Sequence, residues 1–241
     1  QMGQKLEQMA NKGLIFRGRR GNKTYFNAAP LMIGLYEYSV KKLDKELAEM
    51  FRKYYDEALM NEIGASNVPG FKVLPVNEFV DVDTILYPYQ DLVKSVKKAR
   101  KIAVADCVCR KEARLLGEGC TYPLETCLSF GAAAEFYIEN GFGREITVDE
   151  ALQILQDADD AGLVHAGANT KHLSNICNCC PCCCVSMKGM TQHGLGKQKY
   201  MNSLFISVVN QEKCIGCEAC VDRCPVNAIL VLEGIATVDR D

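Results

Sequence analysis

The sequence predicts a multi-domain α+β fold. Apolar residues recur at helical spacing over residues 31–61, whereas Ile102–Ala105 is a short continuous apolar run of the kind that forms a buried strand. All 14 cysteines lie after residue 106, so the two parts of the chain differ in chemistry. A length of 241 residues is enough to bury one or two hydrophobic cores.

The composition excludes several classes of protein. Hydrophobic residues make up 48% of the chain and charged residues 24%, which is ordinary for a globular protein and argues against bulk disorder. Mean hydropathy is −0.06 and no apolar run approaches the roughly 18 residues that a membrane helix needs, so we expect no membrane insertion. A formal charge of −2 gives no global electrostatic reason to bind nucleic acid.

The cysteines indicate metal binding rather than disulfides. Six of them lie within residues 177–184, where neighbouring cysteines could pair only with strain. Disulfide scaffolds are typically small secreted chains, and this long chain has no visible secretory signal. We therefore expect iron–sulfur or other metal sites in a reducing cytoplasm, in an anaerobic setting.

The last four cysteines have the spacing C-x2-C-x2-C-x3-C-P, which is the bacterial spacing for a 4Fe-4S cluster. They are Cys214, Cys217, Cys220 and Cys224. Two-residue gaps let one loop place three thiolates on three irons, and Gly216 permits the tight turn. A zinc site would more often show paired C-x2-C knuckles separated by a longer loop.

Residues 205–239 resemble the first half of a bacterial-type two-cluster ferredoxin domain, through Phe-Ile-Ser-Val-Val, Cys-Pro-Val-Asn-Ala-Ile and Gly-Ile-Ala-Thr-Val-Asp. In that family a second motif of the same spacing follows directly, and the cysteine before proline serves the other cluster. The resemblance implies a ferredoxin-like segment over residues 201–241 and a natural protein that continues with the second motif. Otherwise an upstream cysteine or Cys224 supplies the fourth ligand.

Ten further cysteines lie upstream, enough for two four-thiolate sites with two to spare. Their arrangement resembles iron–sulfur proteins of anaerobic bacteria and archaea that carry C-x-C-R and I-C-N-C-C-x-C-C-C segments ahead of a ferredoxin domain. That resemblance implies electron transfer. The upstream candidate ligands are Cys107, Cys109, Cys120, Cys127, Cys177, Cys179, Cys180, Cys182, Cys183 and Cys184.

Six thiols in so short a run cannot all bind one cubane, so residues 177–184 are interpreted as bridging two sites that the earlier cysteines complete. A non-cubane cluster is an alternative, although Pro181 breaks the C-C-G motif of heterodisulfide-reductase-type subunits. Zinc at the C-x-C group stays open, as do Cys120 and Cys127 as buried apolar residues. Three nearby histidines are expected to be surface or hydrogen-bonding residues rather than ligands. They are His165, His172 and His193.

Residues 1–63 predict a helix, a hairpin and further helix. The region over residues 31–61 fits one long amphipathic helix or two abutting ones. This order resembles the C-terminal half of a winged-helix domain whose preceding helices are missing from the sequence. The basic turn of the hairpin could then contact DNA phosphates; a solvated hairpin or a module for docking and homodimerisation is the alternative. Its residues are Arg17, Arg19, Arg20 and Lys23.

Residues 64–200 predict an α/β domain that carries the upstream cysteines. Glycines and prolines mark a connector over residues 64–83. We expect residues 166–203 to be loop, and residues 203–241 to form strand, cysteine-rich loop, short helix and strand. The other expected elements are a strand at Phe71–Val76, a helix over Asp91–Lys101, a strand at Ile102–Ala105, short helices around Lys111–Leu116 and Thr126–Glu139, and a helix capped by Thr147 and Glu150.

The sequence therefore predicts an iron–sulfur electron-transfer protein, or a subunit of an oxidoreductase, that relays single electrons through two or more 4Fe-4S clusters to or from a redox partner protein. Two alternatives stay open: a redox-responsive winged-helix transcription regulator, and a reductase with a special cluster at Cys177–Cys184. A basic stretch before the first cysteine could dock an acidic partner or be a solvated helix face. It comprises Lys94, Lys97, Lys98, Arg100 and Lys101.

Overall fold

The computed structural model describes residues 1–75, 92–170, 173–192 and 199–239. The first of these residues form a helix and a β-hairpin, as predicted. Helix α1 covers Met2–Asn11 and is followed by strands β1 (Ile15–Arg20) and β2 (Lys23–Ala28), which pair antiparallel.

Residues 31–61 differ from the predicted helix or helix pair. Ile33 has a φ of 55°, so no helix runs through this residue, and the short helix α2 (Tyr36–Tyr38) begins only after it. The long helix begins only after Asp44, whose carboxylate accepts a hydrogen bond from the Leu47 N–H. It continues as α3 (Lys45–Tyr54), a π-helical stretch (Tyr55–Leu59) and α4 (Met60–Ala65). Of the apolar residues that carry the helical spacing, Tyr38, Leu43 and Tyr55 are buried, whereas Met50 and Tyr54 are exposed. The spacing does not reveal the backbone turn at Ile33.

Seven strands of the middle region form one mixed sheet in the order β6-β4-β5-β8-β7-β3-β9. All neighbours pair antiparallel except β3 and β9, which are parallel. The strands are β3 (Phe71–Val73), β4 (Ile102–Asp106), β5 (Glu125–Phe130), β6 (Arg144–Glu145), β7 (Val164–Ala168), β8 (Asn175–Cys179) and β9 (Met201–Asn202).

Five helices accompany this sheet within the described residues. Thr147 caps the longest of them by accepting a 3.1 Å hydrogen bond from the Glu150 N–H, as predicted. The five helices are α5 (Leu92–Lys98), α6 (Val108–Leu115), α7 (Ala132–Glu139), α8 (Val148–Asp160) and α9 (Val185–Gln192).

Two predictions for the middle region are wrong. The helix expected around Thr126–Glu139 is strand β5 followed by α7, and the loop expected over residues 166–203 contains β8 and α9. In β8, Cys177 and Cys179 alternate with other residues at the period of a strand. Cysteines at these positions indicate metal binding more strongly than a strand, so the sequence pattern does not predict β8.

The sheet is covered on both faces. Ile102 and Val104 of β4 pack with α5 and α8, whereas Ala103 and Ala105 join the core formed with α7 and the N-terminal residues. In that second core the Phe136 ring lies 5.1 Å from Phe16 and 4.9 Å from Tyr38, measured between ring centroids. Side chains from before and after residue 63 therefore share one core.

Polar contacts fasten the N-terminal residues to the two helices that follow cysteines. The Arg52 guanidinium forms an ion pair with Glu112 of α6 at 3.1 Å, and Glu112 is buried. The Tyr55 hydroxyl donates a 2.6 Å hydrogen bond to the Val185 carbonyl at the start of α9. The N-terminal region thus supports the part of the fold where the cysteines lie.

The C-terminal segment contains α10 (Ala219–Arg223) and an antiparallel hairpin of β10 (Ile229–Leu232) and β11 (Ile235–Val238). The strand expected after Ser203 does not form, and the apolar side chains of Leu204, Ile206 and Val208 are exposed. Among the described residues no helix is both long and apolar enough to cross a membrane.

Replacing Phe136 tests the shared core. Phe136→Ala removes a ring that is 1% exposed and packs against both parts of the chain, and should lower the free energy of unfolding by about 3–5 kcal/mol. Met50→Ala, at a side chain 63% exposed, is the control and should change it by about 0.5 kcal/mol or less. Urea unfolding under argon, followed by circular dichroism, measures both; equal effects would contradict a shared core.

Candidate metal centre

Two cysteines of the site, Cys107 and Cys184, lie where the chain passes from a strand to a helix. β4 ends at Asp106 and Cys107 precedes α6; β8 ends at Cys179 and Cys184 precedes α9. Each of the two capping thiols accepts a backbone hydrogen bond from the first turn of its helix, from Arg110 and Met187 respectively. A helix N-terminus favours negative charge, so each of these backbone bonds acts to lower the pKa of the thiol that accepts it.

Six thiols form a continuous series of sulfur contacts, which we call the six-thiol group. Cys109 contacts both Cys107 and Cys184, Cys179 contacts Cys184 and Cys177, and Cys177 contacts Cys127. The register of β5 and β8, in which Leu128 opposes Ile176, places the last two of these thiols side by side. The group comprises Cys107, Cys109, Cys127, Cys177, Cys179 and Cys184.

The six-thiol group lines a cavity whose remaining wall includes Met32, Glu37 and Phe71. The Glu37 carboxylate accepts a 2.8 Å hydrogen bond from the Gly34 N–H, and burial raises the pKa of Glu37 to about 8. No sequence motif marks this glutamate, because its position depends on the irregular turn around Ile33.

The other four upstream cysteines form a compact cluster, the four-thiol group. It comprises Cys120, Cys180, Cys182 and Cys183, whose sulfur atoms all lie within 4.8 Å of one another. The Cys183 sulfur is 3.6 Å from that of Cys120 and 3.7 Å from that of Cys182. The run 177–184 therefore contributes to two separate groups, as the bridging interpretation expects.

A buried arginine lies between the two groups. The Arg110 side chain is fully buried, donates a 2.9 Å hydrogen bond to the Asn178 carbonyl and also bonds the Thr126 hydroxyl. Burial alone would lower the pKa of Arg110, but the nearby thiols of Cys107 and Cys180 raise it above its ordinary value. Its fixed positive charge offsets thiolate charge in both groups. An arginine directly after a C-x-C segment is the sequence signal that could have identified this role.

The pKa values of neighbouring upstream thiols are shifted in opposite directions. A hydrogen bond with Cys109 lowers the pKa of Cys184 to about 5, and one with Cys183 lowers the pKa of Cys180 to about 4. The pKa of Cys107 is raised, chiefly by its hydrogen bond with Cys109. In each group a thiol with a lowered pKa therefore lies beside thiols with raised pKa values, and thiolate sulfur is the ligand that soft metal ions prefer.

The C-terminal cysteines receive backbone hydrogen bonds at sulfur. The Ala236 N–H donates to the Cys214 sulfur at 3.3 Å, which lowers the pKa of Cys214, and the Ala228 N–H donates to the Cys224 sulfur at 3.2 Å. Cys217 and Cys220 are exposed. Such N–H···S bonds suit cluster thiolates, so this donor set fits a 4Fe-4S cluster.

Comparison with known families agrees with this fit. Residues 207–230 match the family model of the 4Fe-4S binding domain. No curated protein and no solved structure matches the chain. The match supports iron–sulfur electron transfer in general, and a redox partner in general, for the segment that it covers.

Two of the four hairpin residues considered for DNA contacts are engaged within the protein. Arg17 is buried and forms ion pairs with Glu7 at 2.5 Å and Glu139 at 2.6 Å, and Arg19 also pairs with Glu139. Arg20 and Lys23 are exposed. Arg17 therefore fastens the hairpin to α7 instead of facing solvent.

Of the basic stretch before β4, four side chains are exposed: Lys94, Lys97, Lys98 and Arg100. Lys101 forms an ion pair with Glu145 at 3.4 Å. His165 is buried and its Nδ1 lies 2.6 Å from the Asn178 Oδ1, so it is a hydrogen-bonding histidine. His172 and His193 lie outside the described residues.

Substitution of two glycines tests the C-terminal site. Both Gly216 and Gly234 have positive φ, at 67° and 80°, so alanine at either position carries a similar backbone cost of about 1–2 kcal/mol. A Cβ at Gly216 would also lie 2.5 Å from the Gly234 carbonyl oxygen, whereas a Cβ at Gly234 meets nothing within 4 Å. Gly216→Ala should therefore lose most of the electron paramagnetic resonance (EPR) signal of the C-terminal cluster, and Gly234→Ala should retain most of it. Equal retention would contradict the geometry of this loop.

Proposed function

We propose that the protein is an iron–sulfur electron-transfer protein, relaying single electrons to or from a partner oxidoreductase. The observation that carries this proposal is the match of residues 207–230 to the 4Fe-4S binding domain, with backbone N–H groups directed at the sulfurs of Cys214 and Cys224. A 4Fe-4S cluster, when bound, supplies reversible one-electron chemistry. The protein's part is to hold it and, through N–H···S hydrogen bonds, to set its potential.

The position of the thiol groups supports a relay through the chain. One groove is lined both by Cys224 of the C-terminal segment and by Cys182 of the four-thiol group. Arg223 fixes that segment by donating a 2.7 Å hydrogen bond to the Asp159 carbonyl of α8. The four-thiol group is linked in turn to the six-thiol group by Arg110, which contacts Cys180 and Cys107. Electrons entering at the exposed C-terminal segment would thus move towards the buried cysteines.

The surface offers two contrasting places for a redox partner. Cys217 and Cys220 are exposed, so a partner can approach the C-terminal cluster closely. The second place is the exposed lysines of α5, which can dock an acidic partner. Rates of electron transfer that fall steeply with added salt would indicate that the charged surface is used.

A pair of variants tests the electron-transfer proposal. Cys217→Ser removes an exposed ligand and should lower the content of anaerobically purified protein by about four irons and four acid-labile sulfides per chain. It should also remove one electron equivalent from a reductive titration with methyl viologen radical. Ile215→Ala, at a neighbouring side chain 85% exposed, is the control and should leave both values unchanged. Iron-free wild-type protein would refute the proposal.

The cavity beside the six-thiol group favours a second candidate function, a reductase with a special cluster. Six thiols exceed the four that a cubane needs, and Glu37 provides a carboxyl group at the cavity wall. With its pKa near 8, Glu37 can hold a proton near neutral pH and deliver it to a bound molecule.

Carbon monoxide distinguishes these two functions. An iron with an open position binds this ligand, so the EPR spectrum of reduced protein should change on its addition if the six-thiol group holds a reactive cluster. Cys184→Ser should abolish that change, while Cys217→Ser should leave it. EPR spectra that show only ordinary cubanes and do not change when carbon monoxide is added would exclude the reductase and favour electron transfer.

A further inference from the structure

The four-thiol group differs in geometry from the other cysteine groups. Its four sulfurs lie within 4.8 Å of one another, and two of the separations are 3.6 and 3.7 Å. Within the ranges that the structure describes, no other set of three or more cysteine, histidine or carboxylate ligand atoms meets this limit. By contrast, the six-thiol group is an extended series of sulfur contacts, and the C-terminal cysteines are spread along a loop.

The spacing matches a single tetrahedral ion. With metal–sulfur bonds of about 2.3 Å, four thiolates around one ion have sulfur–sulfur separations of about 3.8 Å. In a cubane each thiolate binds a different iron and points away from its own corner of the cube, so the sulfurs stand farther apart. The four-thiol group is thus the right size for one ion and too small for a cube.

The surroundings of the four-thiol group hold this geometry in place. Cys180, Cys182 and Cys183 lie on one turn, which the Cys184 N–H closes with a 3.2 Å hydrogen bond to the Cys180 carbonyl. The fourth ligand comes from a distant loop, where Arg114 donates to the carbonyls of Cys120 and Tyr122 at 3.3 and 2.8 Å. Apolar side chains of α6 and α8, including Ala113 and Ala158, pack against the cysteines.

We infer that Cys120, Cys180, Cys182 and Cys183 bind one tetrahedral metal ion, zinc or iron, and not a 4Fe-4S cluster. Four thiolates in a tetrahedron are the ligand set of both ions. The ion ties the loop at Cys120 to the turn that starts α9, next to the groove that also reaches Cys224. This inference is independent of the C-terminal cluster, because the ligands of that cluster are different residues. It does bear on the relay: iron at the four-thiol group could carry an electron, whereas zinc does not change its oxidation state.

The test removes two ligands that lie outside the buried core. Cys120→Ser/Cys182→Ser should lower the metal content of the full chain by about one ion, with acid-labile sulfide unchanged. A loss of zinc identifies a structural ion, whereas a loss of iron identifies a one-electron centre. The matched control, Cys217→Ser/Cys220→Ser, should lose about four irons and four sulfides and retain the single ion. Elemental analysis and sulfide assay of anaerobically purified proteins supply these values.

Two outcomes would overturn the inference. One is a loss of about four irons with four sulfides from Cys120→Ser/Cys182→Ser, and the other is no change in metal content at all. Far-UV circular dichroism and the EPR signal of the C-terminal cluster establish that this variant folds. If it does not fold, the cobalt-loaded wild-type chain and single Cys182→Ser are compared: a mononuclear site changes from four sulfur ligands to three, which alters the visible bands of tetrahedral cobalt, and an unaltered spectrum contradicts the assignment.

Discussion

Ten thiols from separate parts of the chain meet in two neighbouring groups of contacting sulfurs, and the rest of the structure is arranged around that crowding. Cys107, Cys127 and Cys177 come from three different strands or strand ends, yet they share one cavity wall. Thiolates brought so close repel each other, and thiols without a metal gain little from the contact. Metal ions remove both difficulties, because each bond to a cation offsets thiolate charge and fixes a sulfur position.

Several features of the fold follow from the need to balance this negative charge. The N-termini of α6 and α9 both begin at cysteines, and Arg110 is buried between the two thiol groups. The N-terminal helices contact these helix starts through Tyr55 and Arg52. What resembles a separate N-terminal module in the sequence therefore also forms part of the wall around the cysteines, with Glu37 at the cavity.

The parts of the fold that the sequence predicted are those where local rules decide. The hairpin at residues 15–28, the strand at Ile102 and the cap at Thr147 depend on turn residues, apolar runs and a side-chain cap, all of which act over a few residues. The strand β8 is not predicted because the face that lines the cavity carries the thiols of Cys177 and Cys179 instead of the apolar residues that mark a buried strand. The break at Ile33 was missed because a left-handed residue of this type is rare and depends on tertiary contacts.

The candidate site shows the same division. Spacing alone identified the C-terminal motif, because its ligands lie on one loop. The division of the upstream cysteines could not be read from spacing, since neighbours such as Cys179 and Cys180 enter different groups. Their separation depends on the direction in which each side chain leaves the end of β8, and Arg110 and Glu37 enter the site only through packing of distant segments.

Mössbauer spectroscopy of protein labelled with iron-57 tests most directly whether the buried cysteines bind iron. We expect the quadrupole doublets of a cubane, from the C-terminal segment, together with a second set of iron sites from the six-thiol group, so that the total exceeds about four irons per chain. A spectrum that contains one ordinary cubane and nothing else would show that the buried thiols do not hold iron, and would contradict the account of the fold as a scaffold for clusters.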